Sequence, residues 1–148
     1  MKDCKLKYSI SINSPAETVW EKMTGADTYK IWVNESWPGS YYEGEWKEGT
    51  EIKFLSLNGG GTLAELRSCT PNKNVELLHT AVINPDGSED RDSEMAKNWI
   101  GSLEKYSLNE SDGKTELTVE MITSPEWEKM FNEGWPAALN KLKEISEN

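Results

Sequence analysis

Histidine occurs once in this chain, and cysteine and phenylalanine twice each. A single histidine with two widely separated cysteines, Cys4 and Cys69, gives neither metal-ligand spacing nor a disulfide framework. The expectation is a reduced, cytoplasmic protein without metal or cofactor. Basic residues are also scarce: 16 Lys and Arg stand against 26 Asp and Glu, for a formal net charge of −10. Nucleic acid and anionic membrane both require basic surface, so neither is an expected partner. No apolar run approaches the roughly 20 residues of a membrane span. Met1-Lys2-Asp3-Cys4-Lys5 leads directly into an alternating strand pattern, with no apolar signal segment. Gly59-Gly60-Gly61 lacks the Lys-Ser/Thr and the following helix of a phosphate loop, and reads as a hairpin turn. The acidic run 86–94 lacks the Asp/Asn/Gly order of a calcium loop. Repeats and low-complexity linkers are missing too, so residues 1–148 are expected to form one domain, read as a monomer.

What the chain does have is large rings, with seven Trp and five Tyr beside the two Phe. Three of them, Trp127, Phe131 and Trp135, fall in the stretch 124–147, around which the rest is organised. Ser124 is placed to cap a helix start, and Pro125 sits where a missing N–H costs nothing. Trp127, Met130, Phe131, Trp135, Ala138, Leu139, Leu142 and Ile145 then recur at steps of three and four. Together they cover about half the helix circumference. The spacing predicts a rod of roughly 36 Å, with a bend near 132–135 where Pro136 removes a backbone hydrogen bond.

The preceding chain supplies something for that face to press against. Leu6, Tyr8, Ile10 and Ile12 alternate with polar residues in a first strand. Ser14 and Glu17 have the spacing of a capping box, with Pro15 at the first helical position. A helix over 15–24 burying Val19, Trp20 and Met23 follows, then a second short helix over about 27–32. Strands are expected at 51–57, 62–67, 75–83, 99–108 and 115–122, with a polar loop over 84–98. Asp112-Gly113 marks a tight hairpin. Leu117, Val119 and Met121 alternate with Glu116, Thr118 and Glu120, so the sheet is covered on one side only. The fold class is α+β: an antiparallel sheet of about six to seven strands facing a long C-terminal helix.

This order, with Ser14-Pro15-Ala16-Glu17-Thr18-Val19-Trp20 after the first strand, resembles the START-like SRPBCC superfamily. The similarity continues through Glu45-Trp46-Lys47-Glu48-Gly49, Trp99 to Tyr106, Thr115 to Val119, and Gly134-Trp135-Pro136-Ala137-Ala138-Leu139. Within the superfamily the chain looks most like single-domain bacterial homologues of the activator of the heat-shock protein 90 ATPase. The resemblance implies the helix-grip fold, in which a curved sheet wraps the terminal helix around an apolar cavity. It does not imply a reaction, since the superfamily holds lipid and hormone binders, polyketide cyclases and co-chaperone domains.

Within such a cavity His79 shares strand parity with Val75, Leu77, Ala81 and Ile83, and Glu104 shares it with Tyr106 and Leu108. Both therefore point inward, where a carboxylate needs a partner. The pair reads either as a structural hydrogen bond closing the sheet or as the polar end of a greasy pocket. Trp32, Trp37, Phe54, Tyr106, Phe131 and Trp135 are the candidate walls, each equally readable as plain core. No residue is nominated as catalytic. A Cys69–His79 nucleophile–base pair lacks a third orienting group. The leading reading is a non-catalytic binder of a small, mainly hydrophobic molecule. The alternatives are a co-chaperone-like module with a chaperone partner, or an enzyme of cyclase or hydrolase type using the same cavity.

Overall fold

The computed structural model describes residues 2–148. The element order is β1 (Cys4–Ile12), α1 (Ala16–Thr24), α2 (Ala26–Asn34), β2 (Tyr41–Gly44), β3 (Glu51–Leu55), β4 (Gly61–Thr70) and β5 (Asn74–Ile83). Next come β6 (Glu89–Asp90), α3 (Glu94–Trp99), β7 (Leu103–Ser111), β8 (Lys114–Thr123), a 3₁₀ turn (Pro125–Trp127) and α4 (Glu128–Glu147). The sheet is antiparallel in the order β1-β8-β7-β5-β4-β3-β2, with the short β6 attached to β5. One sheet face packs against α4, and α1 and α2 close the end. Leu77, Leu117 and Val119 thereby join Val19, Trp32, Leu139 and Leu142 in a single buried core.

The hairpin between β7 and β8 pairs Ser111 with Lys114 across Asp112-Gly113. Both loop residues have positive φ (54° and 77°), the backbone of the tight turn that matches strand twist.

Helix starts depart from the expected capping. The Ser14 hydroxyl donates to the Ser146 carbonyl at 2.5 Å instead of capping α1. The Ala16 N–H, one of the open donors of the first turn, is met by Glu110 Oε1 at 2.8 Å, so a carboxylate on β7 takes part in capping α1. Ser124 likewise donates to the Asn98 carbonyl at 2.7 Å, and the stretch after it begins as one 3₁₀ turn. The long helix is thus 20 residues, roughly 30 Å rather than 36 Å. It runs through Pro136 as one element. Of its expected buried face, Met130 is 39% exposed, while Trp127 and Ile145 are half-buried. Trp20 of α1 is half-buried as well.

Two further expectations are corrected. The polar loop 84–98 contains β6 and α3, whose start is capped by Ser93 Oγ accepting from Ala96 N at 3.1 Å. Trp99 therefore ends a helix, and the following strand begins only at Leu103. In β5 the parity shifts partway along. Leu63 pairs with Ala81 but Ala64 pairs with His79, leaving Thr80 as a bulge. Beyond it Val82 faces the main core, whereas Ala81 and Ile83 join Leu55 and Leu63 in a separate cluster.

Candidate functional site

The bulge leaves Val75, Leu77 and His79 on the face that meets α4, and β7 runs antiparallel beside them. Register pairs Val75 with Tyr106 and Leu77 with Glu104, so Glu104 and Tyr106 project from the same face of β7. His79 Nε2 lies 3.0 Å from Glu104 Oε1, and the Tyr106 hydroxyl donates to Glu104 Oε2. His79 is 2% exposed and the Glu104 side chain 13%. With Glu104 ionised, Nε2 carries the shared hydrogen, and Nδ1 becomes an acceptor in the neutral ring. Nδ1 is buried and has no hydrogen-bond partner among the described residues. Burial pushes the Tyr106 hydroxyl well above the usual tyrosine range, reinforced by the neighbouring Glu104 charge and its hydrogen bond. Burial first, then Glu104, does the same to Tyr29.

Around this polar group stands a wall of rings. Trp135 of α4 lies 6.2 Å from Trp32, 5.4 Å from Trp37 and 5.9 Å from Tyr106 between ring centroids. Trp99 packs 4.6 Å from the His79 ring and 5.9 Å from Phe131, and Phe54 lies 6.3 Å from His79. Trp37 is delivered by the loop after α2, where its N–H donates to the Val33 carbonyl at 2.8 Å. Its ring rests directly on Gly134, whose missing Cβ would sit 2.6 Å from the indole. The adjacent Ser36 hydroxyl fixes the loop by donating to the Gly134 carbonyl at 2.5 Å.

These groups line a partly open cavity of about 280 Å³ between the sheet, α2 and α4. Trp32, Trp37, Phe54, His79, Glu104, Tyr106, Phe131 and Trp135, the eight residues singled out from sequence, all line it. Tyr29, Trp99, Thr62 and Met130 line it as well and were not foreseen. Tyr29 carried a usable signal, because it precedes Trp32 and Val33 by helical steps of three and four. Trp99 was hidden by its placement in a strand rather than at the end of α3. Cys69 pairs with Val75, four residues before His79 and thus roughly 13 Å along the strand. Its Sγ donates to the Trp46 carbonyl at 3.4 Å, and burial raises its thiol above the ordinary range. The structure does not bring it to the histidine.

An antiparallel sheet packed on a long C-terminal helix, with two short helices after the first strand, is the helix-grip arrangement of the START-like class. The chain belongs to the family described as activator of Hsp90 ATPase homolog 1-like protein, whose model matches residues 13–147. Solved structures with this fold include a protein from Mesorhizobium loti, 18% identical, with TM-score 0.71 and 96% of each chain covered. The solution structure of the Aha1 dimer from Colwellia psychrerythraea is 22% identical at TM-score 0.73, covering 97% of this chain and 96% of that one. A protein from Chromobacterium violaceum is 14% identical at TM-score 0.72, with 97% of each chain covered. No curated protein matches this sequence. No helix among the described residues is long and apolar enough to cross a membrane.

Proposed function

We propose that this protein binds a small, mainly apolar molecule in the cavity between sheet and α4, as a monomer in the cytoplasm. The observation that carries the reading is one largely buried carboxylate, held by His79 and Tyr106, in a predominantly apolar, ring-rich cavity of about 280 Å³. Polar groups few in number and fixed in place, set in an apolar lining, are how small-molecule sites are built. Within that site His79, Glu104 and Tyr106 recognise the polar end, and Trp32, Trp37, Phe54, Phe131 and Trp135 hold the apolar body.

Native mass spectrometry of protein purified from its host tests this. A co-purified mass of a few hundred daltons, lost on denaturation, is the expected result. A cavity that stays empty and takes up no compound in a thermal-shift screen would overturn the reading. The family description favours a second reading, a co-chaperone-like contact. Pull-down of a heat-shock protein 90 homologue from lysate, abolished by surface substitutions that spare the cavity, would support it instead. Light scattering decides the oligomeric state, which in the Colwellia relative is a dimer.

A further inference from the structure

The chemistry of the cavity also selects the charge of what it takes. No Lys or Arg is among the described residues lining it, and Glu104 is its one carboxylate. Among the described residues no Lys or Arg lies within 4.0 Å of the Glu104 carboxylate, whose one nearby nitrogen partner is the His79 ring at 3.0 Å. An ionised carboxylate offers about four acceptor positions, and His79 and Tyr106 occupy two of them. A ligand bearing a carboxylate or phosphate would set like charges together in a site of low dielectric. A purely apolar ligand would strip water from Glu104 and give nothing back. A cationic nitrogen does the reverse. It supplies N–H donors for the open positions and the opposite charge, in a charge-assisted hydrogen bond. The indole and phenyl rings of the wall add attraction wherever a ring face meets the cation. The acidic surface, with a formal net charge of −10, steers a cation toward the site and repels an anion.

We infer that the ligand is an organic cation: an apolar, ring-sized body carrying a protonated amine that pairs with Glu104. The inference rests on the cavity reading above and adds the ligand's charge to it.

Three probes with one hydrocarbon body separate the two claims. The intact protein is titrated by calorimetry with 3-phenylpropylamine, 3-phenylpropanol and 3-phenylpropanoate, at about pH 7.5 and about 0.15 M salt to screen surface attraction. The amine is expected to bind at least about tenfold more tightly than the carboxylate, with the alcohol between them. Glu104→Gln keeps the side-chain shape and should bring amine and alcohol within about threefold of each other. A carboxylate that binds as well as the amine, or an amine preference that survives Glu104→Gln, overturns the charge assignment and leaves the cavity reading standing. Failure of all three to bind overturns both. If Glu104→Gln does not fold, as judged by near-ultraviolet circular dichroism, the ranking in the unsubstituted protein decides alone.

Discussion

Glu104 is the residue on which the polar end of the cavity turns. Its two oxygens are shared between a histidine on β5 and a tyrosine on its own strand. Removing either donor leaves a carboxylate oxygen with little water to replace it, and such an unpaired group costs more than the bond contributed. Tyr106→Phe should therefore destabilise by about 1–3 kcal/mol, measured by urea unfolding. His79→Ala and Glu104→Gln should not add: once one partner is gone, losing the other relieves an unmet need. A coupling on the order of 1 kcal/mol or more is expected in the double-mutant cycle. Additive single substitutions would mean that the 3.0 Å contact carries no net interaction. This pairing was legible before the structure because alternation along two strands puts both side chains inward. The tyrosine's part in it was not, since Tyr106 read as wall alone. A hydroxyl two residues along the same strand face gives no sequence signal that separates a hydrogen-bond donor from a packed ring.

At the level of elements, α4 and the loop after α2 are fitted to each other through one missing methyl group. Glycine inside a helix costs about 1 kcal/mol relative to alanine. Gly134 is nevertheless buried in α4, because the Trp37 ring occupies the space a Cβ would take. Gly134→Ala should forgo the usual helical gain and lose about 1–3 kcal/mol to overpacking. It should also push Trp37 off the cavity wall, visible as a shift in tryptophan fluorescence and weaker probe binding. A stabilised variant with unchanged fluorescence would show that the loop yields freely. Farther along the same face, Leu139 is 2% exposed, and Leu139→Ala should cost about 2–5 kcal/mol by denaturant melt. Periodicity made this helix readable over most of its length, since its apolar face is wide and faces a sheet that is open on one side. It failed where long-range partners replaced local ones. Ser14 had the spacing of a capping box, yet its hydroxyl was taken by the end of α4, and Glu110 takes part in capping α1. The bulge at Thr80 inverted the parity of Ala81 and Ile83. A bulge is set by the neighbouring strand, which alternation within one strand cannot register.

For the whole molecule, the buried rings and the acidic surface both bear on stability at high pH, and they can be told apart. Tyr29 and Tyr106 are buried with hydroxyls raised far above the ordinary tyrosine range, and burial pushes Tyr8 up to about 12. A raised folded-state pKa means that the native protein keeps protons the unfolded chain gives up. The stabilisation is fully present below about pH 10, where free tyrosine titrates, and is lost as pH rises beyond it. Each of the two buried tyrosines should then contribute about 1.4 kcal/mol of lost stability per pH unit. The surface acts in the same direction, because a formal charge of −10 grows more negative as lysines discharge. Salt separates the two causes. Screening shortens from about 10 Å at 0.1 M to about 3 Å at 1 M, which removes repulsion between exposed charges but leaves a buried hydroxyl unaffected. Urea midpoints measured from about pH 9 to about pH 11.5 should therefore keep falling in 1 M salt, and Tyr106→Phe should make that fall shallower by removing one of the retained protons. If high salt abolished the pH dependence, surface repulsion would account for it and the buried tyrosines would have no part. If salt left it intact and Tyr106→Phe did not change the slope, the proton would have to be held elsewhere, with Tyr29 the next residue to substitute.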